Sequence, residues 1–243
     1  MPAIRPGAGR PIVLCSLVML TACGGDLALP EQPGTPPEQL SIARLAGDSQ
    51  EGIVGQALPA AVSVRIVDTQ GQAVSAARVA FVPTDSAPGS VVPDTSFTDG
   101  DGRASARWVL GPHPGKQSLT ASVVGGATDA AVSFVATADP GLPDRIKAAS
   151  GDGQRGPIGQ PLPDSLVVLV TDQFGNPVSG VGVEWRVEGG GGRVSARAST
   201  TGADGLAAVQ WTLGGNFFSH QEVSATVAGL TGSPVIFTAS LGT

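Results

Sequence analysis

The sequence predicts an all-β protein: two tandem β-sandwiches that come after an apolar leader and a proline-rich stretch. Three observations carry this. Val, Ala, Ser and Thr fill segments punctuated by 35 Gly and 20 Pro, a composition of short strands and many turns. Within those segments apolar residues alternate with polar ones, the period of a strand with one face in a core, and no run keeps a helical period. The whole pattern then occurs twice, at a spacing of about 104 residues.

The leader comes first. Residues 1–10 carry Arg5 and Arg10 and no acid, residues 11–20 (PIVLCSLVML) form an apolar run, and Leu20-Thr21-Ala22-Cys23-Gly24 comes next. As a helix, that run spans about 15 Å, half of a roughly 30 Å hydrocarbon core, so it suits a removable secretory signal over residues 1–22. Leu-Thr-Ala-Cys resembles the lipobox of bacterial lipoproteins. The resemblance implies cleavage before Cys23, a diacylglyceryl group in thioether linkage to its sulfur, and a further acyl chain such as palmitate on the new amine. More than one chain would anchor stably. Gly24, where inner-membrane retention uses aspartate, points by the same resemblance to the outer membrane. The plainer reading is an ordinary cleavage site with a free cysteine just past it.

Residues 23–39 read as a tether. Pro30, Pro33, Pro36 and Pro37 interrupt a stretch with almost no apolar periodicity. At about 3.3 Å per residue it could lift the first sandwich roughly 50 Å from a bilayer.

Charge and cysteine count narrow the partners. Removing Arg5 and Arg10 leaves 12 of the 14 basic residues against 20 acidic ones, a balance of −8. Such a surface repels phosphate backbones, so nucleic acid is not an expected partner. Cys15 leaves with the leader, so the mature chain has one thiol and no internal disulfide. Packing alone must stabilise both copies.

The first copy is assigned to residues 40–138, the second to 144–243, and Asp139-Pro140-Gly141-Leu142-Pro143 to a linker. Gly47–Gly52 and Gly55–Pro59 correspond to Gly151–Gly156 and Gly159–Pro163; Thr98–Gly102 corresponds to Thr201–Gly205, Trp108 to Trp211 and Phe134 to Phe237. Alternation assigns one core face to Val62, Val64 and Ile66, and to Leu166, Val168 and Val170 in the second copy. It likewise groups Ala104, Ala106, Trp108 and Leu110 with Ala207, Val209, Trp211 and Leu213. Leu119, Ala121, Val123, Val132, Phe134 and Ala136 match Val223, Ala225, Val227, Val235, Phe237 and Ala239. Six or seven short strands per copy are expected, paired as two sheets that cover each other's apolar faces.

At Asp172-Gln173-Phe174-Gly175-Asn176-Pro177-Val178, at the Thr-Asp-x-x-Gly turn of Thr98–Gly102, and at the Ala-rich strands ending near Phe134 and Phe237, the chain resembles the group 1 bacterial immunoglobulin-like domains stacked in invasin and intimin. The resemblance implies immunoglobulin-like sandwiches and an adhesive or spacing role. Gly175 and Asn176 suit a positive-φ hairpin turn and Pro177 presets φ after it. The first copy, with Gly71-Gln72-Ala73-Val74 there, departs from the pattern.

Several strings look chemical. Gly151–Gly156 spells G-x-G-x-x-G, but Pro157, Pro161 and Pro163 forbid the helix that a dinucleotide site needs, so a structural loop is expected. Asp99-Gly100-Asp101-Gly102 lacks the rest of a calcium loop and reads as a hairpin turn; calcium between Asp139 and Asp144 at the linker is the remaining metal idea. His113 and His220 stand singly in equivalent loops, so no metal site is assigned. No catalytic set is found, and no cofactor is expected beyond the lipid on Cys23. Phe217-Phe218, in the loop from Gly214 to His220, is the candidate binding feature, set against rings folded back over the core. The sequence thus reads as a monomeric, non-catalytic, lipid-anchored envelope protein that spaces or adheres, with a protein or glycan as surface ligand. The alternative is a carbohydrate- or matrix-binding module working through the sandwich-end loops.

Overall fold

The computed structural model describes residues 39–85, 89–125, 130–216 and 220–242. In the first copy the strands are β1 (Ser41–Ala46), β2 (Gln50–Ile53), β3 (Val62–Val67), β4 (Arg78–Pro83), β5 (Ser90–Val92), β6 (Thr95–Phe97), β7 (Arg103–Val109), β8 (Gly115–Val123) and β9 (Ala131–Asp139). They form two sheets, β1-β3-β7-β5 and β2-β9-β8-β4-β6. The second copy has β10 (Arg145–Ser150), β11 (Gln154–Gly156), β12 (Leu166–Thr171), β13 (Gly182–Gly189), β14 (Arg193–Val194), β15 (Ala198–Thr200), β16 (Leu206–Val209), β17 (Trp211–Thr212), β18 (Gln221–Thr226) and β19 (Val235–Leu241). Its sheets run β10-β12-β16 and β11-β19-β18-β13-β15, with β14-β17 as a short separate ladder. No helix occurs among the described residues.

Each copy begins with a stretch of chain that serves both sheets. β1 pairs antiparallel with β3, its register shifts between Arg44 and Ala46, and the chain then crosses over to become β2, parallel to β9. β10 and β11 repeat the manoeuvre against β12 and β19. Gly47 and Gly151 stand at the crossovers with φ of +87° and +90°; a Cβ would lie 2.4 Å from the Ala61 carbonyl oxygen in one and 2.2 Å from that of Ser165 in the other. Only glycine fits. The G-x-G-x-x-G string is therefore the crossover between sheets, just past the register shift between Ala148 and Ser150.

The strand number exceeds six or seven per copy, for three local reasons. The crossover divides the first strand, a short β5–β6 segment adds two more, and the counterpart of β7 is interrupted at Gln210. There the Gln210 backbone N–H donates to Ser195 Oγ at 3.1 Å and its side-chain amide donates to the Leu162 carbonyl.

Two separate cores form, one over Val54–Ala138 and one over Ile146–Phe237. Val62, Val64, Ile66, Leu166, Val168 and Val170 are wholly buried, as are Trp108, Trp211, Phe134 and Phe237. Burying these faces is the main favourable term for both sandwiches. Val123, Val132, Val227 and Ala239 are only half-buried, because they lie at or near strand ends where the core thins. A member absent from the alternation pattern is Trp185, 3% exposed, its ring centroid 5.9 Å from that of Phe237 and its indole N–H on Ser199 Oγ at 2.8 Å.

Polar ties repeat along with the cores, half-buried at Gln50 and Gln154 and buried at Thr98, Thr201, Gln117 and Gln221. Gln50 Nε2 donates to the Gly47 and Ala60 carbonyls while its Oε1 accepts the Ala60 N–H; Gln154 does the same with Gly151 and Asp164. Thr98 Oγ1 accepts from Ala77 N–H and donates to the Val74 carbonyl, and Thr201 repeats this with Val181 and Val178. Gln117 and Gln221 each accept a glycine N–H, from Gly111 and Gly214. Such ties satisfy backbone groups that burial would otherwise leave unpaired.

Candidate functional site

Cys23, Phe217 and Phe218 lie outside the described residues, as do the leader and nearly all of the tether. The described flanks of the Phe217-Phe218 loop are tied down: Gly214 N–H donates to Gln221 Oε1 at 3.1 Å and Asn216 N–H to the Gly190 carbonyl at 3.3 Å.

The best-defined functional geometry is the joint between the sandwiches. Its linker is pinned at both ends: Val54 N–H donates to the Asp139 carbonyl at 3.0 Å, and Asp144 N–H donates to the Thr171 carbonyl at 2.9 Å. The turn after β12 then reaches across. Asn176 Nδ2 donates to the Pro112 carbonyl of the first sandwich at 2.7 Å and to Asp172 Oδ2 at 2.9 Å. Phe174 lies against Gly55, where a Cβ would come within 2.6 Å of the ring. Gly55 and Pro112 share one surface, since Gly55 N–H donates to the carbonyls of Leu110 and Gly111, both at 3.2 Å.

Asp172 organises the turn. Its Oδ1 accepts the N–H groups of Phe174 and Asn176, and its Oδ2 accepts those of Gly141 in the linker and the Asn176 side chain, all at 2.9 Å. The residue is 2% exposed. Burial by itself would push its pKa up, but the Asn176 side chain and then the backbone N–H groups of Gly141, Asn176 and Phe174 outweigh it and hold the carboxyl below its ordinary value. One carboxylate thereby joins linker and turn, and holds the Asn176 side chain that reaches the neighbouring sandwich.

The first copy has the same turn without the docking groups. Asp68 Oδ1 accepts the N–H groups of Gln70 and Gln72 at 2.8 Å, as Asp172 does with Phe174 and Asn176. Gln70 and Gln72 replace the aromatic ring and the asparagine, and both are exposed. Gly175 takes φ +86° as expected, but Asn176 is not among the residues with positive φ; its contribution is the side chain that bridges the joint. Sequence reasoning identified this motif as a turn and did not identify it as a contact surface. The difference between the copies at Phe174 and Asn176 was the available signal.

Asp99 Oδ1 accepts the N–H groups of Asp101 and Arg103 at 2.9 Å, which makes a tight turn as expected; it is not a hairpin between paired strands, because it carries the chain from β6 in one sheet to β7 in the other. Among the described residues, no three His, Cys, Asp or Glu side chains gather as metal ligands. His113 offers its carbonyl to Gln117 Nε2 at 2.8 Å.

Residues 163–240 match the family model of the bacterial Ig-like domain (group 1). Among solved structures, the D0–D1 domains of intimin are 18% identical with a TM-score of 0.30, covering 83% of this chain and 94% of that one. The Escherichia coli adhesin FdeC is 19% identical with a TM-score of 0.44, covering 83% and 63%. The Yersinia pseudotuberculosis adhesin InvE is 18% identical with a TM-score of 0.38, covering 85% and 61%. The chain thus spans less than two thirds of FdeC and of InvE. A search of curated proteins finds no match.

Proposed function

We propose that this chain, whose second sandwich matches the bacterial Ig-like domain (group 1), is a non-catalytic module of the bacterial cell envelope, held to the outer membrane by lipid on Cys23 and acting as a monomeric spacer or adhesive element. The observation that carries the spacing role is the joint. A four-residue connection, Pro140–Pro143, lies between pinned ends, and Asn176 and Phe174 of the second sandwich dock on Pro112 and Gly55 of the first. Such a joint limits rotation between neighbours, where a bare linker would leave relative motion as the default. Support for the anchor is the Leu20-Thr21-Ala22-Cys23 sequence at the end of an apolar run and the proline-rich residues beyond it.

Metabolic labelling with a clickable palmitate tests the anchor. Wild-type protein is expected to label and to fractionate with outer membrane, and Cys23→Ser to do neither. Equal labelling of both would rule out lipidation at this cysteine. Protease treatment of intact cells then separates the two remaining roles, since an adhesive element is cleaved from outside and a periplasmic spacer is protected.

A further inference from the structure

The second sandwich carries a groove that the first does not equip. It lies between β13 and the β14–β15 segment, has a volume of ≈ 860 Å³, and is lined by Arg186, Arg193, Arg197, Glu184, Val187 and Val194 among others. That volume is within the range of small-ligand sites. Val187 and Val194 are half-buried against the core, and the three arginines are exposed. Arg186 lies 3.6 Å from Glu188; Arg193 and Arg197 form no ion pair among the described residues.

The internal repeat shows that this charge is not a requirement of the fold. β4 corresponds to β13, so Phe81 and Val82 stand where Trp185 and Arg186 do. Phe81 N–H donates to the Asp94 carbonyl at 2.7 Å, in the place where Trp185 N–H donates to that of Arg197 at 2.8 Å. Ser90 and Val91 pair with Val109 and Trp108, as Arg193 and Val194 pair with Thr212 and Trp211. The same scaffold thus carries Val82, Ser90 and Asp94 in one copy and three arginines in the other, in a chain whose net charge is −6. The groove concentrates positive charge against the sign of the whole.

We propose that this groove binds an acidic polysaccharide, a chain of carboxylate-bearing sugars. Guanidinium groups suit carboxylates, which they grip with paired N–H donors. The half-buried valines offer an apolar surface to a sugar face, and Glu184 supplies an acceptor for hydroxyl donors. An acidic peptide fits less well, because its extended backbone docks best as an added strand, and strand addition is limited here: β15 already covers Gly182–Glu184 and the register of β13 breaks between Val187 and Gly189. The inference deepens the interaction-module reading by naming a ligand class, and it is independent of the lipid anchor.

The test uses the full chain without its leader, titrated with a galacturonate hexasaccharide and, separately, with neutral maltohexaose and hexaglutamate, each monitored by calorimetry. Wild type is expected to bind the galacturonate at roughly millimolar or better and to lose at least about tenfold in affinity in R186V/R193S/R197D, which installs the first copy's residues. R65A/R103A, in the first sandwich, should bind as wild type does, and the melting temperature of each variant reports its folding. Binding should weaken with added salt. Equal affinity in the triple variant, equal affinity for maltohexaose, tighter binding of hexaglutamate, or no galacturonate binding by wild type would each overturn the proposal. Any of these would leave the palmitate result unaffected.

Discussion

Two residues of the first sandwich sit where L-amino acids are strained. Ser49 and Ala76 both have φ of +56°, and their counterparts Gly153 and Gly180 have +71° and +77°. A left-handed conformation costs a residue with a Cβ about 1–2 kcal/mol, part of which glycine recovers and part of which it loses to a freer unfolded chain. Ser49→Gly and Ala76→Gly are therefore each expected to stabilise the first sandwich by a few tenths to about 1 kcal/mol, measured by urea denaturation. Core residues act with the opposite sign. Phe134 is wholly buried, and Phe134→Ala is expected to cost about 3–5 kcal/mol, a large share of a small domain's stability.

At the scale of elements, the turn after β12 does more than reverse the chain. Asn176→Ala removes the donor to Pro112 and one donor to Asp172, and is expected to increase relative motion of the sandwiches while leaving each core intact. Small-angle scattering would show a broader distribution of dimensions; an unchanged distribution would mean that the linker alone fixes the joint. Asp172 adds a pH dependence whose direction is set by its depressed pKa. Its contribution is fully present above the ordinary carboxylate pKa of the unfolded chain and is lost as pH falls through the lower folded value. The melting-temperature gap between wild type and Asp172→Asn should therefore be largest near neutrality and narrow below about pH 4. A gap constant from pH 7 to pH 3 would contradict that linkage.

Across the molecule, two cores that share no residue should fail separately. Trp108→Ala is expected to unfold or loosen the first sandwich while NMR signals of the second keep their native dispersion; joint collapse of both would show that the docking of Asn176 and Phe174 couples them more strongly than one turn suggests. The period-2 alternation, the repeat and the glycine punctuation can be read along the chain alone, because strand faces and positive-φ turns are local demands that each residue type meets or fails on its own. Thus Val62, Trp108, Phe237 and the turn at Gly175 were legible. Trp185 escaped the pattern, and the sheet switch at Gly47 was visible only as a glycine, because which sheet a strand joins depends on partners distant in sequence. Tertiary structure alone decided that Asn176 meets Pro112, 64 residues away, and that Arg186, Arg193 and Arg197 line one groove. Those are convergences of side chains from separate segments, and alternation along a strand fixes the face that a residue occupies but not the residues it meets across a sandwich or a joint.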